Sequence, residues 1–161
     1  MILSIKIYPD NVLRKKCKDI EKIGEEEKKL ANNMLETMYK NSGAGLAAPQ
    51  VGLLKKVIVI DIGEGPIVLF NPRIIYKAGK VLFEEGCLSI PKIILKVKRT
   101  KFVEVEGLNR KNKNVKIKAE GLLAYALQHE IDHLSGILIL DRISIWEKIK
   151  QRKNIKNLIK K

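Results

Sequence analysis

The chain holds two histidines, and both fall in one ten-residue stretch, "LQHEIDHLSG", Leu127 to Gly136, with an acid between them. On a helix, residues i and i+4 share a face, so His129 and His133 can reach one metal ion together. Glu130 is turned roughly 100° from His129, which puts it beside the ion, where it can take a proton from water. Two ligands do not complete a catalytic site, because three protein ligands plus water is the usual count. The pattern therefore demands a fold that brings a third donor to this helix from elsewhere.

Downstream of His133 there is no further histidine and only one glutamate, Glu147, near the start of a lysine-rich helix. The remaining candidate is Cys87 in "EEGCLSIP", at the end of an apolar strand beside Gly86. A thiolate is a strong ligand for Zn or Fe(II). The competing reading of Cys87 is a small buried apolar residue, the usual fate of free cysteine. Cys17, within "RKKCKD", reads as incidental. Two cysteines make no disulfide framework, and the start "MILSIKIYPD" lacks a secretory pattern, so a reducing cytoplasm is expected.

Residues Glu25 to Lys40 read as a helix, with Glu25, Glu26 and Glu27 in the first turn and Leu30, Met34 and Met38 as an apolar stripe. Residues 41–52, "NSGAGLAAPQVG", read as a loop. Strands are expected at 57–62, 67–71, 81–90, 93–97, 102–108 and 115–119, several of them half-buried and antiparallel, with 109–114 as a hairpin loop. A second helix spans Leu122 to Leu134, with Gly136 suited to its C-terminal cap. A third begins after Ser144, where "SIWE" has the spacing of a capping box. Strands and helices are largely segregated, so the fold class is α+β: antiparallel strands around a central metal-binding helix, with N- and C-terminal helices. The length fits one domain, 1–161, and no apolar run is long enough to cross a bilayer.

"GAGLAA" (43–48) superficially fits a phosphate-binding glycine fingerprint. That motif needs a strand before it and a helix after it; here a helix precedes, and Pro49 and Gly52 follow. The glycines, Gly45 among them, are better read as letting the backbone approach a ligand, with the amide of Gln50 nearby.

Three segments, "GAGLAAPQ", "EGCLS" and "QHEIDHL", resemble in order and approximate spacing the signature motifs of the peptide deformylase family. "YPDNVLRKKCKDI" and "AEGLLAYALQHEIDHLSG" are similar to that family's N-terminal segment and central helix. The resemblance implies Cys87, His129 and His133 as metal ligands, with Glu130 as general base and then acid. It also implies Gln50 and the backbone N–H of Leu88 as oxyanion donors. The expected metal is Fe(II), with Zn, Ni or Co as possible occupants of a purified sample. The implied reaction removes the formyl group from the N-terminal formyl-methionine of nascent polypeptides, releasing formate. Ala44, Phe83 and Gly86 would lie near the peptide, joined by Leu122, Tyr125 and Ala126 before His129 on the helix. Arg99 is similar to a basic residue near the substrate chain. Asp132 faces a different side of the helix, as an orienting group or a structural ion pair.

Half of the formal charge of +14 sits in the last twenty residues, where eight basic residues from Arg142 to Lys161 meet one acid, Glu147. Ile145, Ile149, Ile155 and Leu158 or Ile159 give this helix, 145–161, an apolar stripe. It reads either as a packed helix with a solvated lysine face or as a contact to ribosomal RNA. No membrane partner is expected. Two other readings of the whole remain at this point: a zinc endopeptidase, from HExxH alone, and a basic RNA- or ribosome-binding module with a structural metal site.

Overall fold

The computed structural model describes residues 1–159; Lys160 and Lys161, at the end of the expected basic helix, lie outside the described residues. Among the described residues there are three α-helices, α1 (Glu25–Lys40), α2 (Gly121–Leu134) and α3 (Ile145–Ile159). The strands are β1 (Gly45–Ala47), β2 (Val57–Ile60), β3 (Ile67–Ala78), β4 (Val81–Cys87), β5 (Ile90–Arg99), β6 (Phe102–Leu108) and β7 (Asn114–Glu120). Five of them form an antiparallel sheet in the order β1-β2-β3-β6-β7, and β4 and β5 form a separate two-stranded ribbon. The class is α+β, as expected.

The sheet lies between α1 and α2. On one face, Leu30, Met34 and Met38 of α1 pack with Val57, Val59 and Phe70. On the other, Ala124, Leu127 and Leu134 of α2 pack with Ile58, Ile60, Val103 and Val105. This explains why "VIVI" of β2 is apolar at every position: a strand covered on both faces has no polar side to alternate with. A third cluster joins the ribbon, through Ile90, Ile93, Leu95 and Val97, to Leu13, Leu138 and Ile143.

Three boundaries differ from the sequence reading. The segment 41–52 holds a short strand, β1, and a single 3-10 turn at Ala48–Val51; three strand residues are too few to carry a period-2 signal. β3 runs on past Pro72 to Ala78, and Pro72 lies where the β3–β6 register shifts between Phe70 and Arg73, a place that needs no ladder donor. The expected strand 81–90 breaks after Cys87 and turns back into β5.

The central helix is positioned at both ends. β7 passes directly into α2 at Gly121, whose φ of 60° makes the turn. At the other end Gly136 (φ 71°) donates to the His133 carbonyl, and Ile137 N–H donates to the Asp132 carbonyl at 3.0 Å, a Schellman closure. Glu147 N–H donates to Ser144 Oγ at 3.2 Å at the start of α3. The apolar stripe of α3 is not continuous. Ile155 and Leu158 pack on the third cluster, whereas Ile145, Ile149 and Ile159 are exposed. At roughly 100° per residue, Ile149 and Ile155 lie about 120° apart around the helix.

Candidate metal centre and peptide cleft

His129, Glu130 and His133 are all buried, on the side of α2 that faces the ribbon. Cys87 closes β4, and its Sγ lies 3.3 Å from His133 Nε2, which in turn lies 3.2 Å from His129 Nε2. The three donor atoms fall within 4.8 Å of one another. Burial disfavours a charge on His129, but the Cys87 sulfur and Glu85 carboxylate outweigh it and lift its pKa well above the imidazole range. Burial, and then the charge on His129, push His133 well below that range. A soft sulfur and two imidazole nitrogens converge within reach of one centre, and that donor set fits a divalent transition ion.

His129 is oriented from behind. Its Nδ1 lies 2.9 Å from Glu85 Oε2, so that carboxylate accepts from Nδ1 and fixes the ring with Nε2 aimed at the other donors. Glu85 receives two bonds from Arg99, from Nε at 2.6 Å and from Nη2 at 2.8 Å. Arg99 Nη1 also reaches Asp132 at 2.6 Å, and Asp132 accepts from Arg142 at 2.6 and 3.0 Å. Burial alone would raise the Glu85 carboxyl, yet Arg99 and His129 hold it below its ordinary value. Arg99 is only 5% exposed, so its expected place beside the substrate chain is corrected: its guanidinium is consumed by two carboxylates. Asp132 takes the structural ion-pair role. Glu85 went unread in the sequence, although it sits two residues before Cys87 and so on the same strand face.

Glu130 is 4% exposed, and its Oε2 has no hydrogen-bond partner among the described residues. Burial pushes its pKa up to about 7, against the lowering charge of His129. Gly45 of β1 lies against it; a Cβ there would come within 2.8 Å of the Glu130 Cδ and overlap Oε1. The glycine is required by space.

Gln50 is fixed by the turn after β1. Its Oε1 accepts from Ala47 N–H at 2.8 Å, which aims Nε2 at Cys87 Sγ (3.5 Å) and Ser89 Oγ (3.3 Å). The amide therefore presents N–H groups beside the donor cluster. Leu88 follows Cys87 and packs close to Gly43.

These groups line one cleft of about 830 Å³ between β1, α2 and the ribbon. Ala44, Gly45, Gln50, Phe83, Gly86, Cys87, Leu88, Leu122, Tyr125, Ala126, His129 and Glu130 all border it. Phe83 and Tyr125 stack at 4.5 Å between ring centroids and form an aromatic wall. Leu122 is half exposed at the mouth. The arrangement can hold a cation, polarise a carbonyl beside fixed donors, and move a proton through a buried carboxylate.

A sequence model of the family described as polypeptide deformylase matches residues 2–149. A peptide deformylase of Thermodesulfovibrio yellowstonii is 51% identical over 160 residues, covering 96% of this chain and 97% of that protein. The crystal structure of a peptide deformylase from Legionella pneumophila superposes with a TM-score of 0.92 at 41% identity, over 99% of this chain and 96% of that one. The peptide deformylase structure from Thermotoga maritima gives 0.87 at 43% identity, over 89% and 99%.

Proposed function

The chain belongs to the polypeptide deformylase family, and from that premise we propose which of its residues carry the reaction. It is a metal-dependent hydrolase that removes the formyl group from the N-terminus of nascent polypeptides. The endopeptidase and the non-enzymatic binding-module readings fall away with that assignment.

Cys87, His129 and His133 hold one divalent ion, Fe(II) natively, with Zn, Ni or Co able to replace it. An ion held there would supply Lewis acidity, making a water molecule far more acidic and polarising a carbonyl. The protein supplies the rest. Glu130 takes a proton from the attacking water as its oxygen bonds to the formyl carbon. The C–N bond then breaks, the amine leaves with the proton that Glu130 returns, and formate is released. Charge building on the formyl oxygen is met by Gln50 Nε2 and the Leu88 N–H; a fixed donor of this kind is worth roughly 3 kcal/mol. Because Ala47 already holds the Gln50 oxygen, the amide needs no reorganisation. Phe83, Leu122, Tyr125 and Ala126 receive the methionine side chain, whose sulfur suits an aromatic wall. Ala44, Gly45 and Gly86 border the peptide backbone.

Residues 1–161 act as one catalytic domain in the cytoplasm, carrying the basic C-terminal segment, 145–161, as an attachment to the ribosome. Support for that attachment is the charge of the tail together with Trp146, which is 77% exposed and can stack on a base.

The observation that carries the catalytic reading is the buried cluster of Cys87, His129 and His133 beside an unpartnered Glu130 carboxylate. The test is formate release from a formyl-Met tripeptide by protein purified without oxygen. Turnover is expected to vanish on chelator stripping and return with Ni(II). Glu130→Ala is expected to bind metal in equal amount with no measurable release. Turnover by that variant would remove Glu130 from its role.

A further inference from the structure

A second concavity, of about 520 Å³, lies at the end of the β4–β5 ribbon where Val81 pairs with Arg99, and it shares no lining residue with the peptide cleft. Its cations are Lys77 and Lys80 around the β3–β4 turn, Lys98 and Arg99 at the end of β5, and Arg142. Its one acid is Asp132, which already accepts from both guanidiniums. The nearby acids of β6 are taken as well, Glu104 by Lys118 and Glu106 by Arg73. Among the described residues, Lys77, Lys80 and Lys98 form no ion pair, though all three border the same hollow.

Three uncompensated ammonium groups around one concavity repel one another, and the repulsion is relieved by an anion that touches several at once. The main chain keeps the rim together, since Lys98 N–H donates to the Arg142 carbonyl. The hollow exceeds what one phosphate fills, and Ile74, Val81 and Leu82 supply an apolar side. We propose that this pocket binds a phosphorylated anion carrying two or more linked phosphates, with Lys77, Lys80 and Lys98 as its charge contacts. The bound anion is a diphosphate or polyphosphate group, and it occupies the protein together with the peptide substrate.

The probe is inorganic pyrophosphate, titrated calorimetrically into the full-length, metal-loaded protein at moderate salt. One site is expected, with affinity falling on the order of tenfold or more in Lys77→Glu/Lys98→Glu. The same charge change placed on the β6–β7 loop, Lys111→Glu/Lys113→Glu, is expected to change it less than about twofold. Both variants should release formate at the wild-type rate. Amide shifts in the wild type on adding pyrophosphate should map to residues 77–82, 98–100 and 142. Equal weakening in the two variants would mean that net charge alone attracts the anion, and the pocket assignment would fall. It would fall equally if the wild type bound no pyrophosphate, or if the shifts lay elsewhere.

Discussion

Helices α2 and α3 are nearly equal in length, 14 and 15 residues, yet α2 buries seven residues and α3 none. Four of the seven buried in α2 are polar: Gln128, His129, Glu130 and His133. Such groups are costly to bury, and three of them line the reaction centre. On α3, Ile145, Trp146 and Ile149 are left in solvent, where a helix optimised for stability would place polar residues. One helix carries polar groups where apolar ones would be more stable, and the other the reverse. On α2 the departure coincides with the proposed metal centre; on α3 it is what supports the proposed ribosome contact.

The contrast can be broken from the α2 side first. Glu85→Ala leaves the Arg99 guanidinium buried with half its acceptors gone and removes the orienter of His129. Denaturant unfolding should register a loss of about 3–5 kcal/mol, and metal affinity should fall about 10–100-fold. Gly45→Ala forces the Glu130 carboxyl aside; formate release should drop on the order of 10²-fold with metal content unchanged. If Gly45→Ala retains wild-type turnover, the close packing of β1 on Glu130 has no catalytic part.

A smaller effect is expected at Cys17, which burial raises to about 11 from an ordinary 9.0, with Lys56 opposing. The unfolded chain loses this proton first. Between those two values it binds fewer protons than the native state, so stability falls as pH rises. Below pH 9 the contribution is complete. The urea midpoint of wild type should therefore decline more steeply from pH 9 to 11 than that of Cys17→Ala. The smallest effect belongs to α3: Trp146→Ala should shift stability by less than about 0.5 kcal/mol and leave formate release untouched, while ribosome co-sedimentation weakens. Loss of activity in that variant would erase the distinction between the two helices.

Much of this could be read from the chain. α1 begins and ends where its acids and apolar spacing put it, and the HExxH helix and its glycine cap needed only local pattern, whereas the residues alone left Cys87 between a ligand and a small buried side chain and the family resemblance favoured the ligand. What escaped depended on contacts between distant segments. β1 is three residues long and exists because β2 pairs with it. Glu85 went unread, because only the fold brings Arg99 and His129 to it. Arg99 was misplaced for the same reason. On α3 the isoleucine spacing was real, but the helix touches the domain along only part of its length.

Along the chain, Gln50 and Cys87 are 37 residues apart, Glu85 and His129 are 44, and Cys87 and His133 are 46. Each of these three contacts therefore closes a long loop, and all three are lost if the ribbon separates from α2 and the turn after β1. Such contacts are entropically the dearest to form and form only once the topology is complete. No fragment or partly folded species can hold the ligands, the carboxylate and the amide together. Catalytic competence and global folding should thus disappear at the same denaturant concentration, as one cooperative event.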